Sequence, residues 1–374
     1  MPNQRIFYAC QAVAIEAPQA GGTVEVAHGV QSVGVTTNFS LEQAFELGQI
    51  QIYENIEGVP DIEVTLEKVL DGYPLLFFLA TRGAGLSATL VERSKLRCNV
   101  GLGIFDDGVD VVGTDGAGGT QNANAEVIAS GMYMSSVAYN INTDGNHTES
   151  ISLVGNQKTW NSSPVLVTQA RVQAAFHEGG GPSNVGGDIP HNNKAGQLHG
   201  GIQRRENVNW AASILPASII RAIDPLHKAV TDVAYNPAVN NNTDSGGKPI
   251  AHVQSISIST DFSREDINEL GRKAPYYRSP NFPIEVTCDI EVLSTDGDWV
   301  QAFEEGYLTG VNAGNNTPEE TITITLDDGT KFELGAKNRL SSVSYGGGDA
   351  GGGNATMTFS YSTFNDLTVT SPTQ

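Results

Sequence analysis

The sequence predicts a mainly β protein with short helices, built as two tandem antiparallel β-sandwich or barrel domains. Three observations lead there. One stretch of 19 residues occurs twice in recognisable form. Apolar and polar residues alternate in short runs that end at glycine, the pattern of half-buried strands closed by turns. The composition, 39% hydrophobic and 17% charged with 42 glycines, suits such strands and is too apolar for a disordered chain.

The repeat is read first because a missed repeat misreads the fold. Val30 to Gly48 is VQSVGVTTNFSLEQAFELG and Val253 to Gly271 is VQSISISTDFSREDINELG, with ten identities in 19 ungapped positions. Chance supplies on the order of one. Further along, Ile62-Glu63-Val64-Thr65 is answered by Ile284-Glu285-Val286-Thr287, and Met134 to Tyr139 (MSSVAY) by Leu340 to Tyr345 (LSSVSY). A Gly- and Asn-rich turn follows both, and then an alternating strand, His147 to Val154 and Ala355 to Tyr361. The expected organisation is a first domain over 1–165, a Gly/Asn/His-rich loop or linker over 166–206, and a second domain over 207–374.

Each copy has the same expected plan. It opens on an alternating strand, Val30 to Val35 in the first copy. Ser40 and Ser263 then read as N-caps of helical turns, Leu41–Leu47 and Arg264–Leu270, which stop at Gly48 and Gly271. A second strand spans Ile62 to Val69, or Ile284 to Leu293. After a turn at Asp71-Gly72-Tyr73 or Asp296-Gly297-Asp298, a short helix is expected, with Trp299, Val300 and Phe303 at helical spacing and Gly306 as its stop. Strands Thr321–Leu326 and Lys331–Leu334 flank Asp327-Asp328-Gly329, before a last hairpin. Gly179 to Gly201 and Asn236 to Pro249 read as polar loops, and the apolar Trp210 to Ile223 as the opening of the second copy.

The net charge of −21, from 42 acidic and 21 basic residues, repels nucleic acid and excludes a conventional sequence reader. Such a surface is compatible with DNA that slides past without sticking. Cys10, Cys98 and Cys288 share no spacing motif, which argues against a disulfide framework and a zinc site. Met1 to Arg5 lacks the apolar core of a signal peptide, and Pro74 to Ala80 is too short to cross a bilayer. The expectation is a protein made in a reducing cytoplasm, without a membrane span.

No GxSxG, HExxH, GxxxxGK[ST] or strand-bound GxGxxG occurs, and no catalytic, cofactor-binding or metal residues are assigned. The acidic turns Asp106 to Asp110, Asp296 to Asp298 and Asp327 to Gly329 offer oxygen ligands. None has the twelve-residue calcium-loop pattern, and turn geometry accounts for them. His177, Glu178, Asp188, His191 and His199 fit no zinc spacing. The sequons at Asn146, Asn161, Asn241, Asn315 and Asn354 follow from Asn- and Thr-rich turns. Arg204-Arg205, Arg272-Lys273 and Arg278 read as ion-pair partners of a neighbouring subunit. Glu285, Asp289 and Glu291, like Glu63 and Glu67, lie on one side of an alternating strand. They imitate a glycosidase pair but are more economically a charged sheet face.

The segment Val30 to Leu70, with NFSLEQAFELG and PDIEVTLEKVLDG, resembles virion structural proteins of tailed bacteriophages. Its echo TDFSREDINELGRKAPYYRSPNFPIEVTCDIEV does so too. The role nearest to this pattern is the tail tube subunit. The resemblance implies domains of tail-tube type, a trimeric pseudo-hexameric ring stacked into a tube, contacts with other tail proteins, and double-stranded DNA passing through the lumen without specific binding. It also implies location in the virion tail after assembly in the host cytoplasm, and no enzymatic activity. Other virion components (capsid decoration, baseplate, tail terminator) share this look. From another class, a carbohydrate-active enzyme or sugar-binding module remains, for which Tyr276-Tyr277 is the one exposed-aromatic candidate.

Overall fold

The computed structural model describes residues 6, 8–18, 21–82, 87–106, 122–168, 171–172, 201–216, 219, 252–293, 319–347 and 353–372. Within these the chain is β1 (Gln11–Ala17), β2 (Thr23–Val26), β3 (Val30–Asn38), β4 (Leu41–Ala44), β5 (Glu54–Glu57), β6 (Asp61–Val69), α1 (Leu76–Ala80), β7 (Ser87–Thr89), α2 (Leu90–Arg93), β8 (Arg97–Ile104), β9 (Ala125–Asn142), β10 (Thr148–Gly155) and β11 (Gln157–Asn161). The second half adds β12 (Val253–Asp261), β13 (Glu265–Ile267), β14 (Tyr277–Ser279), β15 (Glu285–Leu293), β16 (Thr323–Thr325), β17 (Lys331–Glu333), β18 (Arg339–Gly346), β19 (Thr356–Phe364) and β20 (Thr368–Thr370). The protein is mainly β, antiparallel, with short helices, as the alternating pattern predicts.

One large sheet carries the order β18-β19-β15-β12-β9-β10-β6-β3. Read from its β3 end it is two blocks, β3-β6-β10-β9 and β12-β15-β19-β18, of the same internal order. The likeness extends to register. Ser32 opposite Glu67 matches Ser255 opposite Glu291, with Gln31 and Gln254 both skipped at a bulge. Ser152 opposite Thr65 matches Ser360 opposite Asp289. Leu153 opposite Met134 matches Tyr361 opposite Leu340, and here Ser135 and Ser341 are both skipped. Bulges shift which face a strand presents, so keeping both at matched stations keeps every side chain on its side. This register corrects the sequence pairing at one place. Ile62 stands where Val286 stands, not Ile284, because a two-residue slip preserves the alternation and is invisible to pattern matching.

The alternation separates two faces. Ile62, Val64 and Leu66 of β6, Val286, Cys288 and Ile290 of β15, and Phe359 and Tyr361 of β19 point into one buried cluster that runs through both blocks. Over it lie α1, buried along its whole length, and a second sheet of order β16-β17-β20-β7. β16 and β17 form the expected hairpin around Asp327-Asp328-Gly329, where Gly329 has φ 90° and so needs no Cβ. The first half of β9 pairs instead with β8 and β11 and has a second cluster, including Cys10, Ile128 and Val167, on its far side.

One local expectation is overturned. Leu41–Leu47 and Arg264–Leu270 are not helical turns. They open two hairpin arms, β4–β5 and β13–β14. A helix there would need a surface to bury Leu41 and Phe45, and both are exposed. In the arms the backbone is satisfied locally, Tyr53 N donating to Ala44 O at 2.9 Å and, at the matched place, Tyr276 N to Ile267 O at 2.8 Å. Gly48 and Gly271 do mark turns, with φ 97° and 86°, but at the arm tips. The expected helix at Trp299 to Gly306, the turns Asp107 to Asp110 and Asp296 to Asp298, the loops Gly179 to Gly200 and Asn236 to Pro249, His177 to His199, residues 217–218 and 220–223 of the stretch Trp210 to Ile223, and the sequons at Asn241 and Asn315 lie outside the described residues.

Candidate assembly interface

Among the described residues, the face of the large sheet opposite the core carries no covering layer. On β6 it carries Asp61, Glu63 and Glu67, on β12 Asp261, and on β15 Glu285, Asp289 and Glu291. Between them stand small hydroxyl and amide side chains, among them Ser136, Asn140, Ser150 and Ser257. These bond along the face: Ser152 Oγ donates to Glu63 at 2.8 Å, Ser255 Oγ to Glu291 at 3.1 Å and Ser257 Oγ to Asn140 at 3.1 Å. The carboxylates are spread across strands and hydrogen-bonded laterally, the arrangement of a charged face.

An open polar depression beside it is lined by Asn142, Asp144, Gln254, Ser255, Glu291 and Asn354, with Thr143, Leu293 and Thr356. It holds two carboxylates and no His or Cys. Among the described residues no group of three His, Cys, Asp or Glu is placed to hold a metal ion, and no helix is long and apolar enough to cross a membrane. All three cysteines are buried, and burial pushes the Cys98 thiol up to about 12.

Where the two blocks meet, β9 pairs with β12 from Ser136 opposite Asp261 to Asn142 opposite Ser255. The strands matched to these, β18 and β3, are the two ends of the sheet order. Ile256, Ile258 and Thr260 on β12 are buried, while the matched Val33, Val35 and Thr37 on β3 are only half-buried. Val137 and Tyr139 on β9 are buried, while Val343 is half-buried and Tyr345 exposed. Among the described residues, each end therefore presents, open, the surface that its match uses inside the chain.

The arms show the same contrast. The second arm lies against the first block. Arg278 Nη2 contacts Asp61 Oδ1 at 2.6 Å and Asn156 Oδ1 at 3.2 Å. Tyr277 meets Tyr133 edge-on, with ring centroids 5.7 Å apart. Arg264 sits over the Tyr133 ring and donates to the carbonyls of Met134, Ser94 and Arg278, the last two at 2.6 and 3.0 Å. Burial lowers the Arg264 pKa to about 10, with Tyr277 and Tyr133 opposing the shift. Phe262 at the base of this arm is 0% exposed, and its N–H donates to Ser135 O at 2.8 Å. Phe39, the identical residue at the matched place, is 73% exposed. Leu41, Phe45, Ile52, Tyr53 and Ile56 along the first arm are exposed as well.

Arg278, read from sequence as a partner for another subunit, thus pairs within the chain, with Asp61 and with Asp266 at 3.1 Å. Arg272 pairs with Glu269 at 3.7 Å and stacks on Tyr276. Arg204 Nε donates to Asn146 at 3.0 Å. The arms and the open edges carry no motif. Their only sequence signal is the repeat itself, together with apolar residues such as Leu41 and Phe45 that a soluble turn does not need.

No family model matches the chain, and no curated protein does. Among solved structures, the tube-terminating cap of the anti-feeding prophage is similar at 12% identity and TM-score 0.31, over 44% of this chain and 95% of that one. A chain of the anti-feeding prophage baseplate is similar at 9% identity and TM-score 0.32, over 44% and 99%. A chain of the sheath-tube complex of an extracellular contractile injection system, PVC, in its extended state, is similar at 13% identity and TM-score 0.31, over 43% and 94%.

Proposed function

We propose that this chain is a structural subunit of a phage-like tail, without catalytic activity, whose copies close into a ring and stack as the tail tube. The observation that carries the reading is the β9–β12 joint, a made version of the contact that β18 and β3 leave open. Carried over register by register, the joint pairs Thr37 with Val343, Thr36 with Ser344, Val35 with Tyr345 and Gly34 with Gly346 of the next copy. Edge strands are hazards unless paired, and a ring pairs both ends of the large sheet. Three copies of two blocks each would give six blocks around the axis, which is the tandem-domain organisation expected from the repeat.

The contrast between the two faces supports one orientation in the ring. The core face carries α1 and the second sheet, so the bare face is the one that fits a narrow channel. Its carboxylates repel phosphate, and the short hydroxyls between them add no charge that would hold it. Other tail proteins would meet the ring at its ends.

The test is a variant carrying Thr36→Cys and Ser344→Cys, oxidised and run without reductant, alongside electron microscopy. The expected result is cross-linked species up to a closed three-chain ring, with rings or stacked tubes in the images. Purely monomeric protein at every concentration, with no cross-link between chains, overturns the reading. Single rings that never stack would point to a terminator.

A further inference from the structure

We propose that the first arm, residues 39–58, is a clasp that docks on the second block of a neighbouring copy of this chain. This rests on the ring reading and names a contact beyond the strand edges. The template is the second arm. The two arms have the same internal pairing, since Gln49 N to Glu46 O and Arg272 N to Glu269 O close matched turns at 3.2 and 3.3 Å. One arm is seated on the block before it in the sheet. For the other, the block before it belongs to the next molecule.

The matched residues say what the joint would contain. Phe39 takes the place of Phe262, so its ring would be buried and its N–H would meet Ser341 O, the counterpart of Ser135. The edge-on pair Tyr277–Tyr133 becomes Glu54 on the arm and Arg339 on the neighbour. Two aromatics are thus replaced on both sides at once by opposite charges, which keeps the pair complementary. Asn55 takes the place of Arg278 and Glu285 that of Asp61, so a hydrogen bond can replace the ion pair. Phe364, exposed, stands where Asn156 stands and adds apolar surface near the arm. Leu41 replaces Arg264, so the three carbonyl bonds of Arg264 have no counterpart there. In the free chain Arg339 rests on Glu319 at 3.2 Å, with both half-exposed, a weak pair to exchange.

The test is a charge exchange in the full chain, read as the concentration for half-assembly by sedimentation velocity or mass photometry. Glu54→Arg and Arg339→Glu are each expected to raise it about tenfold, and the double variant to restore it to within about threefold. Phe39→Ser should raise it similarly without changing the melting temperature of the unassembled chain. If the Thr36→Cys, Ser344→Cys variant cross-links between chains while all these charge and Phe39 variants assemble like wild type, the clasp is overturned and the ring stands. Equal weakening by the singles and the double likewise overturns the clasp. If wild type does not assemble at all, the ring reading itself fails.

Discussion

Lys68 and Glu149 are buried ionisable residues at stations where the other block has Val292 and Met357. Each has a local task. Lys68 Nζ contacts Asp71 Oδ1 at 2.7 Å and donates to His28 O at 3.0 Å. Glu149 accepts from Leu76 N at 2.6 Å and Phe77 N at 2.9 Å, and so satisfies the first amides of α1, whose preceding residue Leu75 supplies no cap. Burial pushes the Glu149 carboxyl above its ordinary 4.5, against the pull of those amides and Lys68. A raised folded value means stability that is complete below the ordinary value and is lost as pH rises through the folded one. Glu149→Gln is therefore expected to flatten the fall in melting temperature above about pH 4.5, seen in thermal melts across pH. Glu149→Met, which copies the other block, should instead destabilise the chain at every pH, because it strips the amides of their acceptor.

The strands and the arms differ in how far they could be read in advance. Strands β6 and β15 were legible because Ile62, Val64 and Leu66, or Val286, Cys288 and Ile290, alternate over a single core. Their mutual register was not, since a slip of two residues leaves the alternation intact. The arms are not legible as strands because LEQAFEL has helical spacing, and nothing in seven residues reveals that no surface waits to cover Leu41 and Phe45. The open edges were invisible for a related reason. Val33 and Ile256 are alike as residues and differ only in what lies beside them. The arms also yield a paired prediction for the unassembled chain. Phe262→Ala should cost about 3–5 kcal/mol in chemical denaturation, as a buried aromatic does. Phe39→Ala should stay within about 0.5 kcal/mol, as an exposed one does. Similar losses at both would mean that Phe39 is already buried in the free chain.

For the whole molecule, the acidic balance and the sheet geometry bear on the same question. The net charge of −21 is legible at once, and the one-sided placement of Glu63 and Glu67, and of Asp289 and Glu291, is legible in the alternation; that both strands turn these residues to one common face is visible only through the pairing. On the proposed ring that face is the channel wall. Glu63→Lys, Glu67→Lys, Asp289→Lys and Glu291→Lys together should leave assembly intact and create DNA binding that weakens steeply with salt. Fluorescence anisotropy of labelled duplex across a salt series would read it. Assembled protein that binds no DNA after reversal would place these residues away from any channel.

The joint between β9 and β12 has a mechanical consequence. It is held by a covalent chain, by Arg264 on three carbonyls, and by Arg278 across to Asp61. A joint between copies would have Leu41 and Asn55 at those places and no peptide link. A loaded ring would then fail at every second joint, never at the one inside the chain. Its rupture pattern would be threefold even though its outline is sixfold.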